Sequence, residues 1–204
     1  MERGEISAKL LEMERDYLDK IRFYNFWFQI SRLSAANVPG DFAEVGVYRG
    51  DTAEILHYMD ENRTIHLFDT FSGFTSDDLA YEKTVGGRYT TQEFSDTKLA
   101  NVRKRFHDKN NFIFHSGEFN DTCHDVKEHQ FSLVHLDVDL YKPTIEGLEF
   151  FYPRLSPKGV IFIHDYNHNW EGVERAIDQF KKTIQEPIIE LTDMHGTALL
   201  IKET

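Results

Sequence analysis

Apolar residues recur along this chain with two different periods, and the change of period marks its organisation. Ile6, Leu10, Met13, Tyr17 and Ile21 fall on one face at helical spacing, and the aromatic run FYNFWF (23–28) continues the stripe. One helical segment is therefore expected at the N-terminus, suited to core packing, a dimer contact or a lid over a ligand. After Pro39-Gly40 the pattern becomes short apolar runs separated by helical ones. DFAEVGVY (41–48), TIHLFDTF (64–71), NFIFHSGEF (111–119), FSLVHLDVD (131–139) and GVIFIHDYN (159–167) read as strands. PIIELTD (187–193) and TALLIKE (197–203), split by His195-Gly196, predict a hairpin. Helical spacing fits 51–60, 97–107, 143–154 and 171–184.

Strands alternating with helices predict an α/β fold. The expected sheet has seven strands, mostly parallel, with helices on both faces and a C-terminal antiparallel hairpin. Residues 1–37 form the N-terminal helical segment and 38–204 the α/β domain. Ligands of such sheets sit beyond the carboxyl ends of the strands, where strand order reverses. The long polar segment 72–97 is expected to cover that crevice or to be a surface insertion.

Composition narrows the choice of ligand. The 204-residue chain is 40% hydrophobic and 28% charged, as one globular domain requires. Its net charge of −12, from 35 acidic and 23 basic residues, argues against nucleic acid and anionic membranes as partners. The one cysteine, Cys123, has no internal partner for a disulfide, which points to a reducing, cytoplasmic location. The segment MERGEISAKLLEMERDYLDK lacks the apolar run of a signal peptide or a membrane span.

Candidate chemistry collects at the strand ends. The first strand runs into EVGVYRGDT, where Glu44, Gly46, Val47 and Gly50 combine a carboxylate with glycines that let backbone approach a ligand. The same residues also suit an ordinary strand-to-helix turn. Asp69, followed by Thr70, ends the second strand, where a carboxylate can accept both hydroxyls of a ribose or simply cap a turn. Ser116, Gly117 and Glu118 end the third, where an adenine could lie. The fourth ends with Asp137 and Asp139, and the fifth with His164 and Asp165. Buried charge needs a partner, so Asp137, His164 and Asp165 are a candidate metal site; a solvated rim is the alternative.

GDFAEVGVYRGDTAEIL, LFDTFSGF, GEFNDT, HLDVDLYKPT, LEFFYPRLSPKGVIFIHDY and GVERAIDQF follow one another in this order. Together they resemble the macrocin O-methyltransferase (TylF-like) family. The resemblance implies a Rossmann-like class I methyltransferase sheet, S-adenosylmethionine as methyl donor, a sugar hydroxyl as acceptor and Mg²⁺ as the usual metal. It further implies that Glu44, Gly46 and Gly50 surround the methionine end of the cofactor, Asp69 the ribose, and Ser116-Gly117 the adenine. Asp137 would be a metal ligand and Asp139 the general base. The family pattern has Asp-Asp-Tyr where this chain has His164-Asp165-Tyr166. Imidazole favours a transition metal over Mg²⁺; alternatively Mg²⁺ binds weakly with a water in place of the carboxylate, or the metal is absent and His164 serves as base or acceptor-binding group. Two other functions compete: a nucleotide-sugar glycosyltransferase using Asp137 and Asp139, and a non-catalytic ligand-binding relative. A homodimer through residues 5–36 is a further expectation.

Overall fold

The structure, a computed structural model, describes residues 7–84, 89–166 and 171–204. Ile6, Asn167 and residues 85–88 of the polar segment, all assigned above, lie outside the described residues.

The sheet has seven strands: β1 (Asp41–Val45), β2 (Ile65–Asp69), β3 (Phe112–Ser116), β4 (Phe131–Leu136), β5 (Leu155–Ile163), β6 (Ile188–Leu191) and β7 (Thr197–Ile201). Their order is β3-β2-β1-β4-β5-β7-β6. The first five strands are parallel, and β7 pairs antiparallel with both β5 and β6. Strand order reverses between β1 and β4, which places the crevice beside Gly46 and Asp137.

Eight α-helices accompany the sheet among the described residues: α1 (Ala8–Asp16), α2 (Lys20–Ala35), α3 (Asp51–Met59), α4 (Ser76–Thr84), α5 (Leu99–Arg105), α6 (Phe119–Thr122), α7 (Tyr141–Phe151) and α8 (Glu171–Phe180). Alternation along the strands divides the core in two. Ala43, Val45, Val134 and Leu136 meet Leu148, Phe151 and Ile177 of α7 and α8. Phe42, Leu67, Leu133 and Phe162 meet Phe26, Ile30, Leu56 and Val102 of α2, α3 and α5. All six β4 residues are buried, as expected of a central strand covered on both faces.

The structure departs from the sequence pattern in four places, each for a local reason. The N-terminal segment is two helices, because Asp19 caps α2. Its Oδ1 accepts from Arg22 N at 3.0 Å and its Oδ2 from Met194 N at 3.0 Å, tying the break to the β6–β7 turn. The polar segment contains α4, whose apolar content is too small to register as a stripe; only Leu79 and Glu82 of it are buried. β5 begins at Leu155 rather than Gly159, although Pro157 argues against a strand there. Finally, β1, β4 and β5 stop at Val45, Leu136 and Ile163, so Gly46, Asp137, Asp139, His164 and Asp165 lie in the loops just beyond, and of these three strands' candidates only Glu44 lies within its strand. Asp137 and Asp139 therefore do not share a strand face. Asp139 turns left-handed, at φ 60°, and Asp165 does the same at φ 61°.

Candidate active site

A cavity of about 570 Å³ opens at the carboxyl ends of β1, β2, β4 and β5, within the size range of small-ligand sites. Glu44, Gly46, Val47, Asp69, Thr70, Gly117 and Glu118 line one part, and Asp137, Asp139, His164 and Asp165 line another. The N-terminal helical segment contributes Tyr17 and Arg22, and the polar segment contributes Phe74, Asp78, Tyr89 and Phe94.

Two expected cofactor positions stand elsewhere. Ser116 is exposed at the end of β3 and does not line the cavity. Gly50 is buried behind the turn at φ 85°, where a Cβ would lie 2.8 Å from the Phe106 ring, so backbone and packing both favour glycine there. Gly46 has a different reason for being glycine. At φ 84° its missing Cβ would lie 1.8 Å from the Asp137 carbonyl oxygen, so the ends of β1 and β4 touch through backbone there.

Asp69 is committed to the turn that borders the cavity. Its Oδ2 accepts from Val47 N at 2.7 Å and Tyr48 N at 2.8 Å, and its Oδ1 accepts from Phe71 N at 2.6 Å. Tyr48 and Phe71 have φ of 49° and 52°, unusual for bulky side chains. Three hydrogen bonds to one carboxylate hold that strained backbone in place. The expected ribose contact would have to use the lone pairs these bonds leave.

Glu44 and His135 form a fully buried pair, with Oε1 and Nδ1 3.0 Å apart. Burial pushes the Glu44 carboxyl well above the usual range, reinforced by the nearby Asp137 and Asp69. Burial likewise pushes His135 down to about 3. Burial thus favours the uncharged form of both groups, while Glu44 Oε2 and His135 Nε2 are buried without a hydrogen-bond partner.

The acidic cluster divides into two unlike halves. His164 Nδ1 lies 2.8 Å from Asp137 Oδ1 and 3.1 Å from Asp165 Oδ2. Burial alone would lower the His164 pKa, but Asp137 and Asp165 raise it to about 10. Burial opposes ionisation of Asp137, yet His164, His135 and Arg22 hold its carboxyl well below the usual range. Asp139 goes the other way. Burial, then repulsion from Asp137 and Asp165, pushes its carboxyl well above the usual range. Tyr89 donates its hydroxyl to Asp139 Oδ1 at 3.0 Å. Two carboxyls with opposed shifts are the pattern of distinct acid–base roles.

The ligand atoms of Asp137, His164 and Asp165 lie within 4.8 Å of one another. Both His164 ring nitrogens are buried without an aligned hydrogen bond, despite the short contacts to the carboxylates. In its neutral form His164 could join both carboxylates around a cation in place of the proton it otherwise holds, and this donor set suits a transition metal better than Mg²⁺.

Sequence reasoning missed Arg22, Tyr89 and Glu82. Arg22 sits four residues before Phe26 on the buried stripe of α2, and a charge on an apolar stripe was the available signal. Its Nη1 lies 3.9 Å from Asp137 Oδ2. Glu82 of α4 accepts from Tyr141 N at 2.6 Å, docking the polar segment on the N-terminus of α7. Nothing local in the sequence marks Tyr89 or Glu82, because their partners are 50 and 59 residues away.

Comparisons with known proteins identify the family and the fold. Residues 16–199 match the model of the family described as macrocin-O-methyltransferase (TylF). A tetracenomycin 4'-O-methyltransferase of Streptomyces olivaceus, named for its dimethoxy-rhamnosyl substrate, is 29% identical over 90% of this chain and 73% of its own length. Mycinamicin III 3''-O-methyltransferase of Micromonospora griseorubida is 33% identical over 63% of this chain, which spans only 56% of that protein. Among solved structures, the O-methyltransferase NovP superposes with a TM-score of 0.73 at 22% identity, over 91% of this chain and 81% of NovP. The calicheamicin methyltransferase CalS11 gives 0.69 at 22% identity, over 95% and 78%. The last two likenesses speak for the fold, which is that of class I methyltransferases. With the family model covering almost the whole chain, the protein belongs to the macrocin O-methyltransferase (TylF) family of methyltransferases.

Proposed function

We propose that the protein transfers the methyl group of S-adenosylmethionine to a hydroxyl of a sugar-containing small molecule, with Asp139 as general base. One observation carries the proposal. The buried Asp139 and the turn held by Asp69 open onto the same cavity. A methyl donor resting on the β1–α3 turn would face an acceptor hydroxyl at Asp139. The acceptor oxygen attacks the methyl carbon, the carbon–sulfur bond breaks, and S-adenosylhomocysteine leaves as a neutral thioether. The hydroxyl proton passes to Asp139. A pKa raised by burial and by Asp137 and Asp165 makes the ionised Asp139 carboxylate a stronger proton acceptor. Tyr89 fixes the Asp139 carboxyl, and Arg22 and Asp137 set the charge behind it. Much of the acceleration comes from holding acceptor and donor in line.

Asp137, His164 and Asp165 would hold a divalent metal: Mg²⁺ by family resemblance, or a transition metal because of His164. Such an ion supplies a lower pKa and a fixed orientation for the acceptor hydroxyl. The glycosylated substrates in the relatives' names support a sugar acceptor. Family membership leaves the glycosyltransferase alternative without support. No helix among the described residues is long and apolar enough to cross a membrane, which is compatible with a cytoplasmic enzyme.

Asp139→Asn tests the assignment, because it keeps the shape and removes the basicity. Methyl transfer to a rhamnosylated acceptor should fall by roughly 10²-fold or more. S-adenosylhomocysteine affinity should stay within about threefold, under 0.7 kcal/mol. Near-normal turnover in Asp139→Asn would refute the base and make His164 the next candidate. Failure of the wild type to bind S-adenosylhomocysteine would refute the methyl donor.

A further inference from the structure

A second group of imidazoles lies at the other end of the sheet. Asp41 opens β1, and Gly46 follows its far end, so roughly 16 Å of extended backbone separates the two sites. Asp41 Oδ2 lies 2.9 Å from His129 Nδ1 and 3.2 Å from His66 Nε2. The three donor atoms lie within 4.8 Å of one another. A tetrahedral ion about 2.0–2.1 Å from each donor would set them roughly 3.3 Å apart. Small side-chain adjustments reach that arrangement.

His66 is oriented from behind. Its Nδ1 is 3.0 Å from His115 Nε2, and His115 Nδ1 is 3.3 Å from Asp125 Oδ2. The rings of His66 and His115 are only 1% and 6% exposed, so neither can turn to water. When both imidazoles are in their neutral form, two N–H protons serve three contacts, one short of the number that would place a proton between each pair of electron pairs. With protons on the contacts to His115 and Asp125, the His66 Nε2 lone pair points straight at the Asp41 carboxylate. A cation placed there removes the repulsion and uses the lone pair. The His115–Asp125 relay then fixes the His66 tautomer, as outer-shell carboxylates do for metal-bound histidines. His129 is exposed, and its ring stands edge-on to His66 with centroids 4.9 Å apart, leaving a side open to solvent for a water ligand.

We propose that Asp41, His66 and His129 form a Zn²⁺-type metal site, separate from the methyl-transfer cavity, that clips the starts of β1 and β2 to the segment preceding β4. Two imidazoles and one carboxylate favour such an ion over Mg²⁺. Its expected consequence is stability rather than turnover.

The test is Zn²⁺ titration of the metal-stripped full chain against a chromophoric chelator, with Co²⁺ absorption reporting tetrahedral geometry. Asp137→Asn serves as background, to remove the cavity cluster. One tight equivalent should remain there, and adding His129→Ala should weaken it at least 100-fold. Asp125→Asn, at an exposed position that touches only His115 in the relay, should weaken it about 10–100-fold. In the otherwise wild-type chain, His129→Ala should lower the tight Zn²⁺ stoichiometry by one and abolish Zn²⁺-dependent thermal stabilisation, while S-adenosylhomocysteine affinity is unchanged. Unaltered Zn²⁺ binding in His129→Ala would overturn the proposal. So would the absence of any Zn²⁺ equivalent in the Asp137→Asn chain, which would mean that an extra proton on the His66–His115 pair closes the gap instead.

Discussion

Asp69 is the residue whose two expected roles can be separated most sharply. In Asp69→Asn the single side-chain oxygen can still accept from Val47 and Tyr48, while the new NH₂ faces Phe71 N across the present 2.6 Å contact. One charge-assisted hydrogen bond, worth about 1.5 kcal/mol at a half-buried site, is lost outright. The other two drop from charged to neutral acceptors at about 0.5–1 kcal/mol each, for a total of about 3 kcal/mol. For a chain of this length that corresponds to a fall in Tm of roughly 6–12 °C. Urea unfolding followed by circular dichroism measures the loss, and the slope should stay constant if the unfolded state is unchanged. Calorimetry with S-adenosylhomocysteine, at a temperature where the variant is folded, should show at least a tenfold loss of affinity, about 1.4 kcal/mol. Stability within about 0.5 kcal/mol of wild type would refute the reasoning from the three hydrogen bonds. Reduced stability with unchanged affinity would leave Asp69 as a turn clamp and refute its place in cofactor binding.

Three further outcomes follow from the same geometry. Glu44 has a raised folded-state pKa, so its favourable contribution is present in full below the unfolded value of 4.5 and is lost as pH rises through the folded value. Glu44→Gln should therefore gain stability relative to wild type as pH rises from 5 to 8, read from paired urea titrations; a constant difference would contradict the assignment. Gly46→Ala should cost more than ~1–2 kcal/mol from the left-handed backbone alone, with the clash on the Asp137 carbonyl added, and unfolding midpoints close to wild type would speak against that contact. His164→Asp should move the cavity site's metal preference toward Mg²⁺, measured by calorimetry in competition with Mn²⁺ or Zn²⁺, whereas an unchanged preference would remove His164 from the metal's shell.

The sequence by itself determined the sheet, because burial on two faces writes period-two and continuous apolar runs into the chain. Each of the seven expected strands is present, while their order, and with it the reversal at Gly46 and Asp137, came from the structure. The residues that matter most were visible as charges where apolar runs stop: Glu44, Asp69, Asp137, Asp139, His164 and Asp165 all line one cavity. Only the tertiary structure decided what each one does. Asp69 turned out to be held by backbone N–H groups 21 and 22 residues earlier as well as one two residues later, a partnership no local pattern encodes. Asp139 owes its raised pKa to burial first, and then to Asp137 and to Asp165 from the next strand's end. Gly50 and Ser116 carry the right residue types at the right strand ends but face Phe106 and solvent. The Asp41–His66–His129 group draws one residue from each of three segments: strand pairing sets Ala43 beside His66 and Asp41 beside Phe131, and the segment before β4 brings His129 to them. Local periodicity reports which side of an element is buried; the sign and strength of a charge's surroundings depend on distant segments that meet only after folding.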